Sequence, residues 1–306
     1  MTELQTYLAE EVAEDLADGI ITRREAMRRL GLLGLTTSAA SALLTTFAAP
    51  VAPARARSRG GGGTETLWSP VAPQSITFAG PRGTLMGAWA PADEPRGGVL
   101  VIHENRGLTE HIRTVAARLA AGGWSALALD LLSEEGGTGS FPGEAEVMAA
   151  LSNAAPERFV ADMKAAIAEL DRRVRRGRLA AIGFCFGGGM VWRLLASGEP
   201  RLAAAAPFYG PFPEGGRLDG SRAAVLGVYG GLDDRVNASR PAAKAALEAA
   251  GLEHELVTFG GADHAFFNDT GTRFNAAAAA EAWRRTVDWF DARGHGDDDD
   301  DHDDDD

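Results

Sequence analysis

Gly183-Phe184-Cys185-Phe186-Gly187-Gly188 holds the only cysteine of the chain, with a glycine two residues to either side, directly after the apolar run 179–182. This is the layout of a nucleophile elbow with sulfur where serine usually stands. Such an elbow is a strained turn from strand to helix. Side chains two before and two after the nucleophile would collide with the crowded backbone, so glycine is required there. A lone cysteine is otherwise a small buried apolar residue. The elbow reading therefore depends on an acid and a histidine at the ends of later strands.

Both are present. The apolar run 225–230 closes into Gly231-Leu232-Asp233-Asp234-Arg235-Val236. A second strand-like run, 254–259, leads into Gly260-Gly261-Ala262-Asp263-His264-Ala265-Phe266. The chain order is nucleophile, acid, histidine, which α/β-hydrolases use and chymotrypsin-like and subtilisin-like enzymes do not. Each candidate stands just beyond a strand, where open parallel sheets place their ligands. Asp234 rivals Asp233, because a shift of one residue exchanges them.

The surrounding pattern predicts one large domain. After a hairpin over 76–89, β-type runs at 98–102, 125–129, 179–184, 203–208, 225–229 and 255–259 alternate with helical patterns. The helical patterns cover 112–121, 157–172, 188–196, 240–250 and 276–290. Strand–helix alternation of this kind implies an α/β fold, a mostly parallel central sheet with helices on both faces. The domain is expected over 73–293.

Four motifs carry a family resemblance: Val101-Ile102-His103-Glu104-Asn105-Arg106-Gly107, the cysteine elbow, Tyr229-Gly230-Gly231-Leu232-Asp233-Asp234-Arg235-Val236-Asn237, and His264-Ala265-Phe266-Phe267-Asn268-Asp269-Thr270. In this order and spacing the chain from about 76 to 290 resembles the dienelactone hydrolases, cysteine-nucleophile members of the α/β-hydrolase fold. The resemblance implies Cys185 as nucleophile, His264 as base and Asp233 as the acid that orients it. It also implies that Glu104 contacts the resting thiol and helps take its proton when substrate arrives; His103 beside it reads as structural. The backbone N–H groups of Phe186 and Asn105 are expected to form the oxyanion hole. The implied chemistry is hydrolysis of small esters or lactones through a thioester, with no cofactor and no metal. The alternatives are a short-chain carboxylesterase or thioesterase with the same residues, or a catalytically idle binding module on the same fold.

One departure bears on substrate. The founding members of that family hold a substrate carboxylate with two arginines, one between the early strands and the elbow, the other four residues past the histidine. Here the latter position is Asn268, and 131–157 contains no arginine or lysine. The bidentate clamp is missing from its expected places. Arg106, Arg158 and Arg235 are the candidate substitutes.

The ends differ from the middle. Thr22-Arg23-Arg24-Glu25-Ala26-Met27-Arg28 precedes the moderately apolar stretch 30–49 and the small-x-small pattern Ala54-Arg55-Ala56. This resembles a twin-arginine export signal over 1–56, with an atypical acidic leader from Glu3 to Asp18, removal after about Ala56 and a flexible linker over 57–72. The expected partner is the twin-arginine export machinery, and the expected location is outside the cytoplasm. An uncleaved membrane anchor is the alternative, since twenty weakly apolar residues are just long enough to span. A solitary cysteine suits export, because no disulfide partner exists for it. The tail 294–306 carries nine aspartates and is expected to be disordered by self-repulsion. The formal net charge of −13 lies mostly in that tail. The remaining core has no basic footprint for nucleic acid.

Overall fold

Three helices open the chain in the computed structural model, which describes residues 1–47, 72–175 and 177–293. They are α1 (Glu3–Ala17), α2 (Arg23–Leu32) and α3 (Thr37–Thr46). Helix α1 starts in a capping box: the Thr2 hydroxyl accepts from the Gln5 N–H, and the Gln5 side chain accepts from the Thr2 N–H. Its Leu4, Leu8 and Val12, four residues apart, lie on one buried stripe. The expected apolar stretch 30–49 is not one helix. It divides at a turn containing Gly34 (φ +87°), and α3 starts afresh with Thr36 as its cap. No helix among the described residues is long and apolar enough to cross a membrane. The Ala54-Arg55-Ala56 pattern, positions 57–71 of the expected linker and the 294–306 tail lie outside the described residues.

The sheet follows. Strands β1 (Gln74–Gly80) and β2 (Gly83–Ala90) form the expected hairpin. Then come β3 (Gly97–Ile102), α4 (Glu110–Ala121), β4 (Trp124–Asp130), α5 (Glu144–Asn153), α6 (Pro156–Arg173), β5 (Arg178–Phe184), α7 (Phe186–Ala196), β6 (Leu202–Phe208) and β7 (Ala224–Gly230). The short α8 (Asp234–Asn237), α9 (Arg240–Ala249), β8 (His254–Phe259) and α10 (Ala276–Asp291) complete the domain. Among the described residues the eight strands lie in the order β1-β2-β4-β3-β5-β6-β7-β8. β2 runs antiparallel to β1 and to β4, and the pairs from β4 through β3 to β8 are parallel.

Sequence dictates these elements in two recognisable ways. β3, β4 and β7 are buried along their whole length, as continuous apolar runs in parallel sheets must be. Helix α6 buries Phe159, Met163, Ala166, Ile167 and Leu170 on one stripe, begins with Pro156 in its first turn and ends with Arg172 and Arg173. Helix α5 was not anticipated in the 131–157 segment. It and the N-terminal helices make one layer, with α1 and α2 both packed against α5.

Topology positions the site. β3 and β5 are neighbours with Ile102 opposite Gly183, so Glu104 and Cys185 emerge side by side. β7 and β8 are neighbours with Gly230 opposite Phe259, so the loops carrying Asp233 and His264 also emerge together. All four residues thus sit beyond the carboxyl ends of parallel strands, where no strand continues to cover them.

Candidate active site

Cys185 adopts φ 55° and ψ −118° between β5 and α7. A side chain rarely tolerates this region, and the strain is held in place by packing. A Cβ built on Gly183 would lie 2.2 Å from the Gly187 carbonyl oxygen. One on Gly187 would lie 2.4 Å from the Ile102 carbonyl oxygen, on the neighbouring strand. Both glycines are therefore required by backbone approach. Among the described residues the other non-glycine positions with positive φ are Tyr209 and Ala265, directly after β6 and directly after His264. Backbone strain is concentrated around one cleft.

His264 is buried, and its Nδ1 lies 2.7 Å from Oδ2 of buried Asp233. The other Asp233 oxygen accepts from the Val236 N–H at 3.1 Å, which fixes the carboxylate. Asp234, its rival in the sequence, is exposed at the start of α8. With Nδ1 donating to a carboxylate, Nε2 is the nitrogen turned to the cleft. Nε2 makes no hydrogen bond of good geometry but stands 3.2 Å from Oε1 of Glu11. The Tyr209 ring packs against the imidazole with centroids 5.2 Å apart.

Glu104 is buried, and its Oε2 accepts from Asn268 Nδ2 at 2.7 Å. Asn268 is oriented in turn, its Oδ1 accepting from the Thr270 N–H at 3.0 Å and the Thr270 hydroxyl at 2.6 Å. The position where the sequence lacks a clamp arginine thus serves Glu104. His103 Nε2 accepts from the Leu131 N–H at 3.2 Å while Nδ1 faces the Glu104 carbonyl at 2.7 Å, a buried structural link between two strand ends. Asn105 lines the cleft beside Glu104. Phe186 opens α7, where the first N–H groups have no partner within the helix.

The hydrogen-bond partners of the thiol come from the N-terminal helix and not, as expected, from Glu104, whose carboxylate is taken by Asn268. Cys185 Sγ lies 3.3 Å from the Tyr7 hydroxyl and 3.9 Å from Oε2 of Glu11. Glu11 is also bound by the Arg235 guanidinium, whose Nε meets Glu14 at 2.9 Å and whose plane covers the Tyr7 ring at 4.6 Å. Arg106 and Arg158, the other substitutes considered for a carboxylate clamp, pair with Glu144 and Glu135 respectively.

The dienelactone hydrolase family model matches residues 85–293. The chain belongs to the dienelactone hydrolase family. It is 33% identical over 218 residues to a protein of Escherichia coli O157:H7 named "Putative carboxymethylenebutenolidase", with 65% of this chain and 78% of that one covered. A protein of the same name from Saccharolobus solfataricus is 30% identical over 233 residues, 64% of this chain and 89% of its own. A crystal structure from Klebsiella pneumoniae, described as a "Putative Dienelactone Hydrolase", superposes with a TM-score of 0.64 at 27% identity, covering 72% of this chain and 98% of that one. The fold is the α/β-hydrolase fold and the enzyme class is that of carboxylic-ester hydrolases.

The charges at this dienelactone hydrolase-type site hold a definite resting pattern. Burial pushes the Cys185 thiol up, Glu11 pushes it further, and His264 opposes both; the sulfur rests as a neutral thiol. Burial would depress His264, but the carboxylates of Glu11 and Asp233 overcome it and raise it well above its ordinary value. Burial raises Glu104 despite His111 and Arg106. For Glu11 and Asp233 burial also acts upward, yet Arg235 and His264 hold Glu11, and His264 holds Asp233, below the ordinary carboxylate range. Glu11 against Nε2 thus favours the protonated ring, and burial favours the un-ionised thiol.

A cavity of about 170 Å³ remains next to these groups, lined by Glu104, Asn105, Cys185, His264, Asn268 and Arg273 among others. Glu11, Cys185 and His264 each offer a ligand atom within 4.8 Å of one another, a spacing a metal ion can use. The Arg235 guanidinium already neutralises Glu11, so a cation there would have to displace an ion pair.

Several residues of this site escaped the sequence reading. Tyr7 and Glu11 lie in the segment read as an acidic leader, though the Thr2–Gln5 cap and the Leu4-Leu8-Val12 stripe signalled a packed helix. Tyr209 and Arg273 carry no local motif at all.

Proposed function

We propose that the chain hydrolyses small esters or lactones through Cys185, His264 and Asp233 by way of a thioester. The observation that carries this reading is the 2.7 Å bond from Asp233 to His264 beside a cysteine on a glycine-framed, positive-φ elbow. Sγ attacks the carbonyl carbon once its proton has gone to Glu104 or His264. The oxyanion accepts from the N–H groups of Phe186 and Asn105. Collapse breaks the carbon–oxygen bond, the leaving alkoxide takes the proton that the thiol gave up to Glu104 or His264, and the acyl group stays on sulfur. His264 then removes a proton from water, whose oxygen attacks the thioester carbon; the acid product departs and the thiol is restored. In a lactone the alcohol remains tethered to the product. Sulfur suits carbonyls with good leaving groups, such as enol esters, because a thiolate is itself a good leaving group and returns from a poorly activated intermediate.

Glu104 fits the part of a proton acceptor close to the nucleophile. Burial raises its affinity for a proton, and Asn268 holds its carboxylate in one orientation. Cys185→Ala is expected to abolish turnover of p-nitrophenyl acetate while leaving the thermal melt unchanged. Acylation of wild-type Cys185 is expected to appear as a covalent adduct by intact mass in the first turnovers. Near-normal turnover in Cys185→Ala would remove the assignment.

We also propose that the chain is exported by a twin-arginine route and loses about residues 1–56. Arg23-Arg24, the apolar stretch and Ala54-Arg55-Ala56 support this address. Cell fractionation of wild type and of Arg23→Lys with Arg24→Lys tests it; equal export of both would overturn it.

A further inference from the structure

We propose that helix α1 closes the catalytic cleft by presenting Glu11 as an internal carboxylate in the place of the reaction's acid product. The proposal rests on the hydrolase reading given above. In that chemistry the product's carboxylate carbon has just left Sγ, and one of its oxygens came from the water that His264 deprotonated. A bound product therefore sets its carboxylate against Sγ and Nε2 together. Glu11 does this: Oε2 is 3.9 Å from Cys185 Sγ and Oε1 is 3.2 Å from His264 Nε2. While it stays there, Glu11 holds the contacts to Sγ and Nε2 that a reacting ester needs.

The helix is built to hold that position. Tyr7, Glu11 and Glu14 follow at helical spacing, so one face of α1 carries the hydroxyl on the thiol and both carboxylates on Arg235. Two more arginines of the hydrolase domain complete the match, Arg273 with Asp15 at 3.1 Å and with Asp18 at 2.8 Å, and Arg193 with Glu3. The acids of the leader thus meet cations at three separate places around the cleft. A glutamate 4% exposed persists only where its charge is matched, and here the match is made by the site itself. Arg235 keeps a buried Nη1 with no partner, so its hydrogen-bonding capacity exceeds what α1 uses. The resting full-length chain is closed, and opening requires α1 to leave. Loss of residues 1–56 on export would remove it permanently.

The test uses the full chain and its single cysteine, so that intact mass reports labelling at one known sulfur. Leu8→Asp with Val12→Asp breaks the buried stripe, and Glu11→Lys sets a cation against Arg235 and His264. Either variant is expected to react with iodoacetamide at least tenfold faster than wild type and to turn over p-nitrophenyl acetate faster. Glu11→Gln, which keeps the shape and is the least disruptive change, is expected to give a few-fold increase in both. An unchanged alkylation rate in a variant that melts like wild type overturns the proposal. So does a fall in ester turnover on loosening α1, which would make the helix a working part of the site. Faster alkylation with no ester turnover in any form upholds the closure and removes the hydrolase reading instead.

Discussion

Two carboxylates close on one imidazole from opposite sides, and the fold delivers them by different means. Asp233 reaches His264 Nδ1 from a loop between β7 and α8, two elements of the central domain, and its second oxygen is tied down by a backbone N–H three residues on. Glu11 approaches Nε2 from a helix more than two hundred residues away in sequence, held by side-chain ion pairs and one apolar stripe. Both raise the proton affinity of His264. Only the first leaves Nε2, the nitrogen turned to the cleft, free. A carboxylate on the far nitrogen of the ring orients the base, whereas one on the near nitrogen occupies it.

The widest separation between the two is expected from neutralising each in turn. Asp233→Asn should lower kcat by about 10³-fold or more, because the ring loses both its tautomer and the support of its charge. Asp234→Asn should stay within about twofold of wild type, since an exposed aspartate away from the ring has no such part. Steady-state hydrolysis of an aryl ester measures both, and equal losses would reassign the role. Glu11→Gln, by contrast, should move turnover upward.

A smaller effect is expected at Glu104, which touches neither ring nitrogen. Glu104→Gln keeps the shape but cannot accept a proton, and should lower kcat by about 10-fold to 10²-fold, at the lower end for a group sharing proton transfer with His264. Asn268→Asp should act in the same direction by setting a second carboxylate against Glu104. A turnover unchanged in both would leave the Cys185 proton to His264 alone.

The smallest effect is on stability, and its sign follows from the directions of the shifts. His264 is raised in the folded chain, so its contribution is fully present below its ordinary value of 6.5 and is lost as pH rises through the raised one. Glu11 is lowered, so its contribution is present above its ordinary 4.5 and is lost as pH falls through the lowered value. The difference in melting temperature between wild type and Glu11→Gln should therefore be largest between about pH 4.5 and 6.5. It should shrink on the alkaline side as the imidazolium loses its proton. Thermal melts across that range check it, and a difference that grows above pH 8 would contradict the pairing of Glu11 with His264.

Much of this protein was legible in its residues. The glycine frame around Cys185 announced a turn that only glycine permits, and apolar runs of strand length alternating with helical stripes specified a mostly parallel sheet. The ends of β5, β7 and β8 are marked locally by glycines and that of β3 by the close of its apolar run, so each candidate could be placed at the proper end of the sheet without knowing the strand order. Other features depended on distances that no local pattern encodes. Asp233 and Asp234 are neighbours with the same chemistry, and only the path of the loop from Gly230 into α8 turns one toward His264 and the other to solvent. Asn268 looked like the loss of an arginine until the fold brought it to Glu104, 164 residues away.

The sequence by itself determined the strands of the central sheet, most of the helices between them, their order, and the candidates for nucleophile, base and acid, because those follow from backbone sterics and periodicity within a few residues. Tertiary structure alone decided what faces the thiol. The acids of α1 read as an acidic leader because their partners, Arg193, Arg235 and Arg273, are scattered along the second half of the chain. A charge is a surface feature or a buried ligand according to what stands opposite it, and the chain must fold before anything does.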